Sequence, residues 1–98
     1  MAQIVWDPVA LDHLDGIAQY IAKDSPAAAN RLIQRIFKRL ERIAMFPLSG
    51  GFIAEDSRQI YREVIQGNYR IIYRVSDDSV YIVAVYHAAR LIDTSLIP

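Results

Sequence analysis

Residues 59–90 read QIYREVIQGNYRIIYRVSDDSVYIVAVYHAAR, and this stretch decides the fold. Three runs rich in β-branched and aromatic residues are separated by two turn signals, Gln66-Gly67-Asn68 and Ser76-Asp77-Asp78-Ser79. Runs so spaced predict three strands joined by tight turns, an antiparallel meander. The middle run alternates strictly. Tyr69, Ile71, Tyr73 and Val75 point to one face, and Arg70, Ile72 and Arg74 to the other. The last run, Val80 to Tyr86, is apolar on both faces, which predicts a strand inside the sheet and not at its edge. It delivers His87 and Arg90 to the rim, near where a neighbouring strand presents arginines.

Working outward, Gln3 to Trp6 reads as a short strand ended by Asp7-Pro8. Aspartate is a good N-cap and proline fits the first helical position, so a helix starts there. Leu11, Leu14, Ile17 or Ala18, and Ile21 give it one buried stripe. Gly16 weakens this helix by about 1 kcal/mol relative to alanine, and reads as a close approach to the helix that follows. Ser25-Pro26 repeats the start signal, and the second helix runs to about Phe46, before Pro47. At 100° per residue, Leu32, Ile33, Ile36, Phe37, Leu40, Ile43 and Ala44 cover one side. Arg31, Arg35, Lys38, Arg39 and Arg42 gather on the other. The apolar arc is wider than one sheet face requires, which leaves Phe37 for a partner chain, flanked by Arg35 and Arg39. Leu48 to Ser57 reads as a loop.

The order β-α-α-β-β-β predicts an α+β fold, with a helical hairpin packed on an antiparallel sheet, in one domain spanning residues 1–98. The first strand pairs either beside the second or onto the last; the two-sided apolarity of Val80 to Tyr86 favours the last. Ile71, Tyr73, Ile82 and Ala84 are expected to share a core with Leu14, Ile36 and Leu40.

A chain of 98 residues that is 53% hydrophobic and 22% charged is globular, with little core to spare. No apolar run approaches the roughly 20 residues of a membrane span. MAQIVWDP lacks the basic start and apolar core of a secretory signal, so a cytoplasmic protein is expected. The absence of cysteine excludes disulfides and thiolate chemistry. A net charge of zero argues against a whole-molecule grip on nucleic acid. The second half, however, carries only arginines as its basic residues: Arg58, Arg62, Arg70, Arg74 and Arg90. Their planar donor forks suit carboxylates, phosphates and base edges; ion pairs with Glu55, Asp56 and Glu63 are the plainer reading.

No His-Glu-x-x-His helix, glycine-rich phosphate loop or Gly-x-Ser-x-Gly elbow is present, and neither metal nor cofactor is expected. His13, beside Asp12, reads as a solvated surface residue. His87 follows an apolar strand, adjoins Tyr86 and precedes Arg90 by three residues. A histidine, arginines and a tyrosine at one rim suit phosphate binding with proton transfer, a partner-binding patch, or a structural histidine.

The segments WDPVALDHLDGIAQYIAKDSPAAANRLIQRI (6–36), FPLSGG (46–51) and above all GNYRIIYRVSDDSVYIVAVYHAAR (67–90) carry a resemblance to the RelE/ParE superfamily of bacterial toxins from type II toxin–antitoxin modules. That resemblance implies the same β-α-α-β-β-β fold. It also implies a small growth-arresting protein held inactive by a cognate antitoxin. One branch of the superfamily cleaves ribosome-bound mRNA without a metal, using basic side chains on the sheet. The other poisons DNA gyrase and performs no chemistry itself.

Residue by residue, Arg70 matches an arginine that the RNA-cleaving branch places on the scissile phosphate, and Arg90 falls where some members carry another functional arginine. Catalytic Arg70, His87 and Arg90 are what the nuclease reading implies. Tyr61 and Glu63 stand where lysines would be, and no tyrosine follows Arg90. Tyr-Arg-Val followed by Val-x-His resembles the gyrase-directed branch, and neutral charge fits poorly with ribosomal RNA, where phosphate contacts dominate affinity. The expectation is therefore a gyrase-directed toxin. A ribosome-dependent endoribonuclease, or a degenerate toxin that only binds antitoxin and regulates its operon, are the alternatives. Arg35, Phe37, Arg39 and Tyr86 are the expected partner contacts.

Overall fold

The computed structural model describes all residues from Met1 to Pro98. In chain order the elements are β1 (Gln3–Trp6), α1 (Pro8–Ala22), α2 (Pro26–Met45), β2 (Gly51–Phe52), β3 (Arg62–Gln66), β4 (Tyr69–Ser76) and β5 (Ser79–His87), followed by a 3-10 turn over Thr94–Leu96. Both helices start as their caps dictate. The Asp7 carboxylate accepts the Val9 N–H at 2.9 Å and the Ser25 hydroxyl accepts the Ala28 N–H at 3.1 Å, each satisfying a donor with no intrahelical partner. The β3–β4 turn holds Gly67 at φ +59°, a conformation that costs glycine nothing.

The sheet order is β1-β5-β4-β3-β2. The meander β3-β4-β5 is antiparallel, as its turns require. The first strand joins the last, and the pairing is parallel, which makes the five-stranded sheet mixed. A parallel pair needs a long crossover, and the helical hairpin forms the first part of it. β5 thus has a strand on each side, and its two apolar faces are covered by the cores on either side of the sheet. The segment expected as a loop, Leu48 to Ser57, contributes the short edge strand β2, paired to β3 through Gly51 opposite Glu63 and Phe52 opposite Arg62. The expected strand start at Gln59 moves to Arg62, because Asp56 ties down the intervening residues. Its buried carboxylate accepts from the backbone of Arg58, Ile60 and Tyr61 and pairs with the Arg58 guanidinium.

Each face of the sheet has its own core. On the helix side, Leu14, Ile36 and Leu40 pack on Ile71, Tyr73, Val80, Ile82 and Val85. On the back, Ile53 and Tyr61 from the β2–β3 segment and Ile92 and Ile97 from the C-terminal tail cover Ile72, Val83, Ala84 and Tyr86. Ala84 belongs to the back core, against expectation. Ile72 lies opposite Ala84 but Tyr73 lies opposite Ile82, so Val83 is an extra residue. This bulge reverses the alternation beyond it and brings Val85 over the helices instead.

Two details of α1 also differ from the periodic reading. Ala10 is fully buried while Leu11 is 47% exposed, so the stripe enters the core one residue earlier. Gly16 makes no close approach, since a Cβ built there meets nothing within 4 Å. The glycine that does mediate one is Gly50. Its added Cβ would meet the Glu63 carbonyl oxygen at 2.6 Å and collide with the Tyr73 hydroxyl. That hydroxyl accepts the Gly50 N–H at 2.9 Å and donates to the Pro47 carbonyl at 2.8 Å, locking the end of α2 to the sheet.

Candidate functional site

Arg70 is the strand arginine that the chemistry of a phosphate site would require to be free. The structure places it on the back face of β4, 8% exposed, inside a ring of acceptors. Its Nη1 and Nη2 form a two-pronged contact with the Glu55 carboxylate at 2.7 and 2.9 Å. Its Nε reaches Glu63 Oε2 at 3.1 Å, and Nη1 also donates to the Arg90 carbonyl at 3.4 Å. Glu55 in turn accepts the Ile92 N–H at 3.2 Å. One guanidinium therefore ties the β2–β3 segment, strand β3 and the tail together. Hydrogen bonding from Arg70, outweighing partial burial, holds the Glu55 carboxyl down at about 2. The Arg70 guanidinium is correspondingly shifted up, first through Glu55, against its own burial. Such an arrangement makes good use of arginine's fork geometry and leaves no donor directed at a ligand.

Arg62 is similarly engaged, donating to the carbonyls of Leu48 and Gly50 at 3.1 and 2.8 Å and lying 4.0 Å from the Phe52 ring centroid. Arg74 and Arg90 lie over Tyr81 and Tyr86, at 4.4 and 4.8 Å from the ring centroids, with no carboxylate partner.

Arg90 belongs to a second, open site between α1 and the rim formed by β4 and β5. A cavity of about 420 Å³ lies there, lined by Asp12, His13, Gly16, Ile17, Tyr20, Tyr69, Val85, Tyr86, His87 and Arg90. β1 stops pairing at Trp6, opposite Ile82, so the edge of β5 is uncovered beyond that point. His13 fills the gap from α1. Its Nδ1 accepts the Val85 N–H at 3.2 Å, and its ring lies 4.9 Å from that of Tyr86. Burial first, and then Arg90, hold the His13 imidazole below its ordinary value, while Asp12 pulls the other way. His87 stacks edge-on to Tyr69 at 5.6 Å and accepts the Ala89 N–H on Nδ1 at 3.1 Å.

Of the residues expected to carry chemistry, His87 and Arg90 share this cavity with Tyr86. Arg70 does not line it and lies on the back face of the sheet. The sequence reading missed His13, Gly16 and Tyr20. Their signal was a second stripe at positions 13, 16, 17 and 20 of α1, hidden because it carries few apolar residues.

The expected partner contacts separate as well. Phe37, 45% exposed, packs 5.7 Å from Trp6 and lines an apolar groove of about 650 Å³ between β1 and α2. Arg35 and Arg39 line a basic groove of about 500 Å³ on the other flank, with Lys38, Arg42 and the exposed Phe46. Glu41 and Met45 border both grooves and form the ridge between them. Tyr86 lies at the rim site, apart from both. No helix is long and apolar enough to cross a membrane, and no group of three or more potential metal ligands occurs.

The chain and its architecture have counterparts among known proteins. Residues 4–92 match the family described as ParE toxin of type II toxin-antitoxin system, parDE. The chain is 38% identical over 91 residues to Toxin RelE2 of Caulobacter vibrioides, covering 93% of this chain and all of that protein. It is 39% identical over 88 residues to Putative toxin Y4kP of Sinorhizobium fredii, covering 88% of each. Among solved structures, a chain of the chromosomal ParDE TA system from P. aeruginosa superposes with a TM-score of 0.71 over 89% of this chain and 96% of that one, at 19% identity, a likeness of fold. Both helices, strands β2 to β5, nearly all of β1 and the rim site fall within the matched residues, and the chain belongs to the ParE toxin family of type II toxin–antitoxin systems, within the wider RelE/ParE superfamily.

Proposed function

We propose that this toxin arrests growth by binding a protein target, DNA gyrase, without cutting RNA, and that a cognate antitoxin holds it inactive. The observation that carries the reading is the state of Arg70. A guanidinium clamped by Glu55 and Glu63 has its charge compensated and its donors occupied. Releasing it to a phosphate would leave two partly buried carboxylates facing that phosphate, a repulsive arrangement. The absence of lysine from the sheet and a net charge of zero point the same way. The antitoxin is assigned to α2, whose apolar groove at Phe37 and unpaired basic flank at Arg35 and Arg39 suit an amphipathic acidic segment.

A nuclease reading retains one specific support, the presence of His87 and Arg90 in the lining of one open cavity. Two assays on antitoxin-free protein separate the alternatives. Gyrase supercoiling is expected to be inhibited at the concentrations that arrest growth. Ribosomes programmed with mRNA are expected to yield no A-site cleavage product. Cleavage without gyrase inhibition would overturn the proposal.

A further inference from the structure

The rim cavity between α1 and the β4–β5 end has two histidines in its lining, and their hydrogen bonds fix what they can offer a ligand. A backbone N–H always donates, so a ring nitrogen that accepts one carries no proton. His13 accepts from Val85 on Nδ1, and His87 accepts from Ala89 on Nδ1. In each neutral ring the hydrogen is therefore on Nε2. Two imidazoles from different elements, one fixed by a strand and one by a turn, bring Nε2–H donors to one cavity. Arg90 adds a guanidinium lying on the Tyr86 ring with no carboxylate partner. Asp12 is the one carboxylate in the lining.

Gly16 is a second, independent observation. A glycine inside a helix costs about 1 kcal/mol relative to alanine. Here no packing neighbour requires it, since open space surrounds the position where its Cβ would be. It lines this same cavity, so its effect is to keep the wall of the cavity low.

We infer that the cavity is a docking pocket for a protein segment that presents a carboxylate beside an apolar or aromatic side chain. The carboxylate meets Arg90 and the histidine Nε2–H donors, and the adjoining side chain lies against Tyr69 and Tyr20 across Gly16. Charge selects a carboxylate over a phosphate. Arg90 is the one full cation in the lining and can pair with one negative charge, whereas a second charge on the ligand would face Asp12 with no further cation to offset it. The site stands apart from the choice between gyrase and RNA, because its test reads binding at the histidines and not growth arrest.

The test is a titration of the intact ¹⁵N-labelled protein followed at the imidazole nitrogens, with three probes: N-acetyl-Phe-Glu-Leu-amide, adenosine monophosphate and inorganic phosphate. The peptide is expected to shift the His13 and His87 Nε2 signals saturably while both rings keep their tautomer. Arg90→Ala is expected to weaken peptide binding by about tenfold or more, as for loss of a hydrogen bond to a charged group. Gly16→Leu, which favours the helix and fills the pocket, is expected to keep the folded spectrum and abolish the shifts. The inference is overturned if the peptide moves neither histidine, if adenosine monophosphate or phosphate binds more tightly than the peptide, or if Gly16→Leu binds as the parent does.

Discussion

Arg70→Ala would remove the guanidinium that holds three parts of the back face together. The side chains involved are largely enclosed: Arg70 is 10% exposed, Glu55 17% and Glu63 18%. Removing one partner of a buried ion pair costs about 3–5 kcal/mol, because the remaining charge stays desolvated and unpaired. Glu55 and Glu63 keep some contact with water, so the lower end, about 3 kcal/mol, is expected. In a urea titration followed by Trp6 fluorescence, an m-value of about 1–2 kcal/mol/M converts this to a midpoint about 1.5–3 M lower.

The acid limb provides a second reading of the same interaction. A carboxyl depressed to about 2 in the folded state contributes stability above its unfolded value, and loses it as pH falls from about 4.5 through about 2. The parent protein is expected to weaken across that window, and Arg70→Ala to weaken less. Arg70→Met combined with Glu55→Gln and Glu63→Gln removes all three charges and is expected to recover much of the lost stability. If the triple variant also retained gyrase inhibition, Arg70 would be a structural clamp and no contact residue. An unchanged urea midpoint in Arg70→Ala, with an unchanged acid limb, would refute the reasoning.

Leu40→Ala and Ile36→Ala, each in the helix-side core, are expected to cost about 2–5 kcal/mol in the same urea assay. Gly50→Ala is expected to destabilise by about 1–3 kcal/mol, since the added methyl overlaps the Glu63 carbonyl and the Tyr73 hydroxyl, and calorimetry should show a lowered Tm. Phe37→Ala is expected to raise the antitoxin dissociation rate, whereas Arg35→Ala or Arg39→Ala should slow association and flatten its salt dependence, both readable by surface plasmon resonance.

Local signals in the chain were enough to place the helices and the meander. Asp7-Pro8 and Ser25-Pro26 start the two helices because the orphan N–H groups of a first turn need an acceptor wherever the helix lies. Gly67 and the alternation of Tyr69 to Val75 likewise specify strands and turns through contacts a few residues long. The two-sided apolarity of β5 carried a longer message, that both its faces are buried as in a strand inside the sheet, and β1 does pair along its outer edge.

What local pattern could not reveal depends on partners distant in sequence. The bulge at Val83 follows from fitting β5 against β4, and by reversing one alternation it moved Ala84 to the back core. His13 looked solvated from its own helix, but its acceptor role exists only because β1 ends before β5 does. Arg70 is the sharpest instance. As a strand residue it could equally have faced a phosphate or a carboxylate. The decision came from Glu55, 15 residues upstream on a segment that folds back beneath the sheet. Periodicity reports which face a side chain occupies; only tertiary structure decides which charge waits there, because electrostatic pairing depends on distance in space and on the loss of water around the pair.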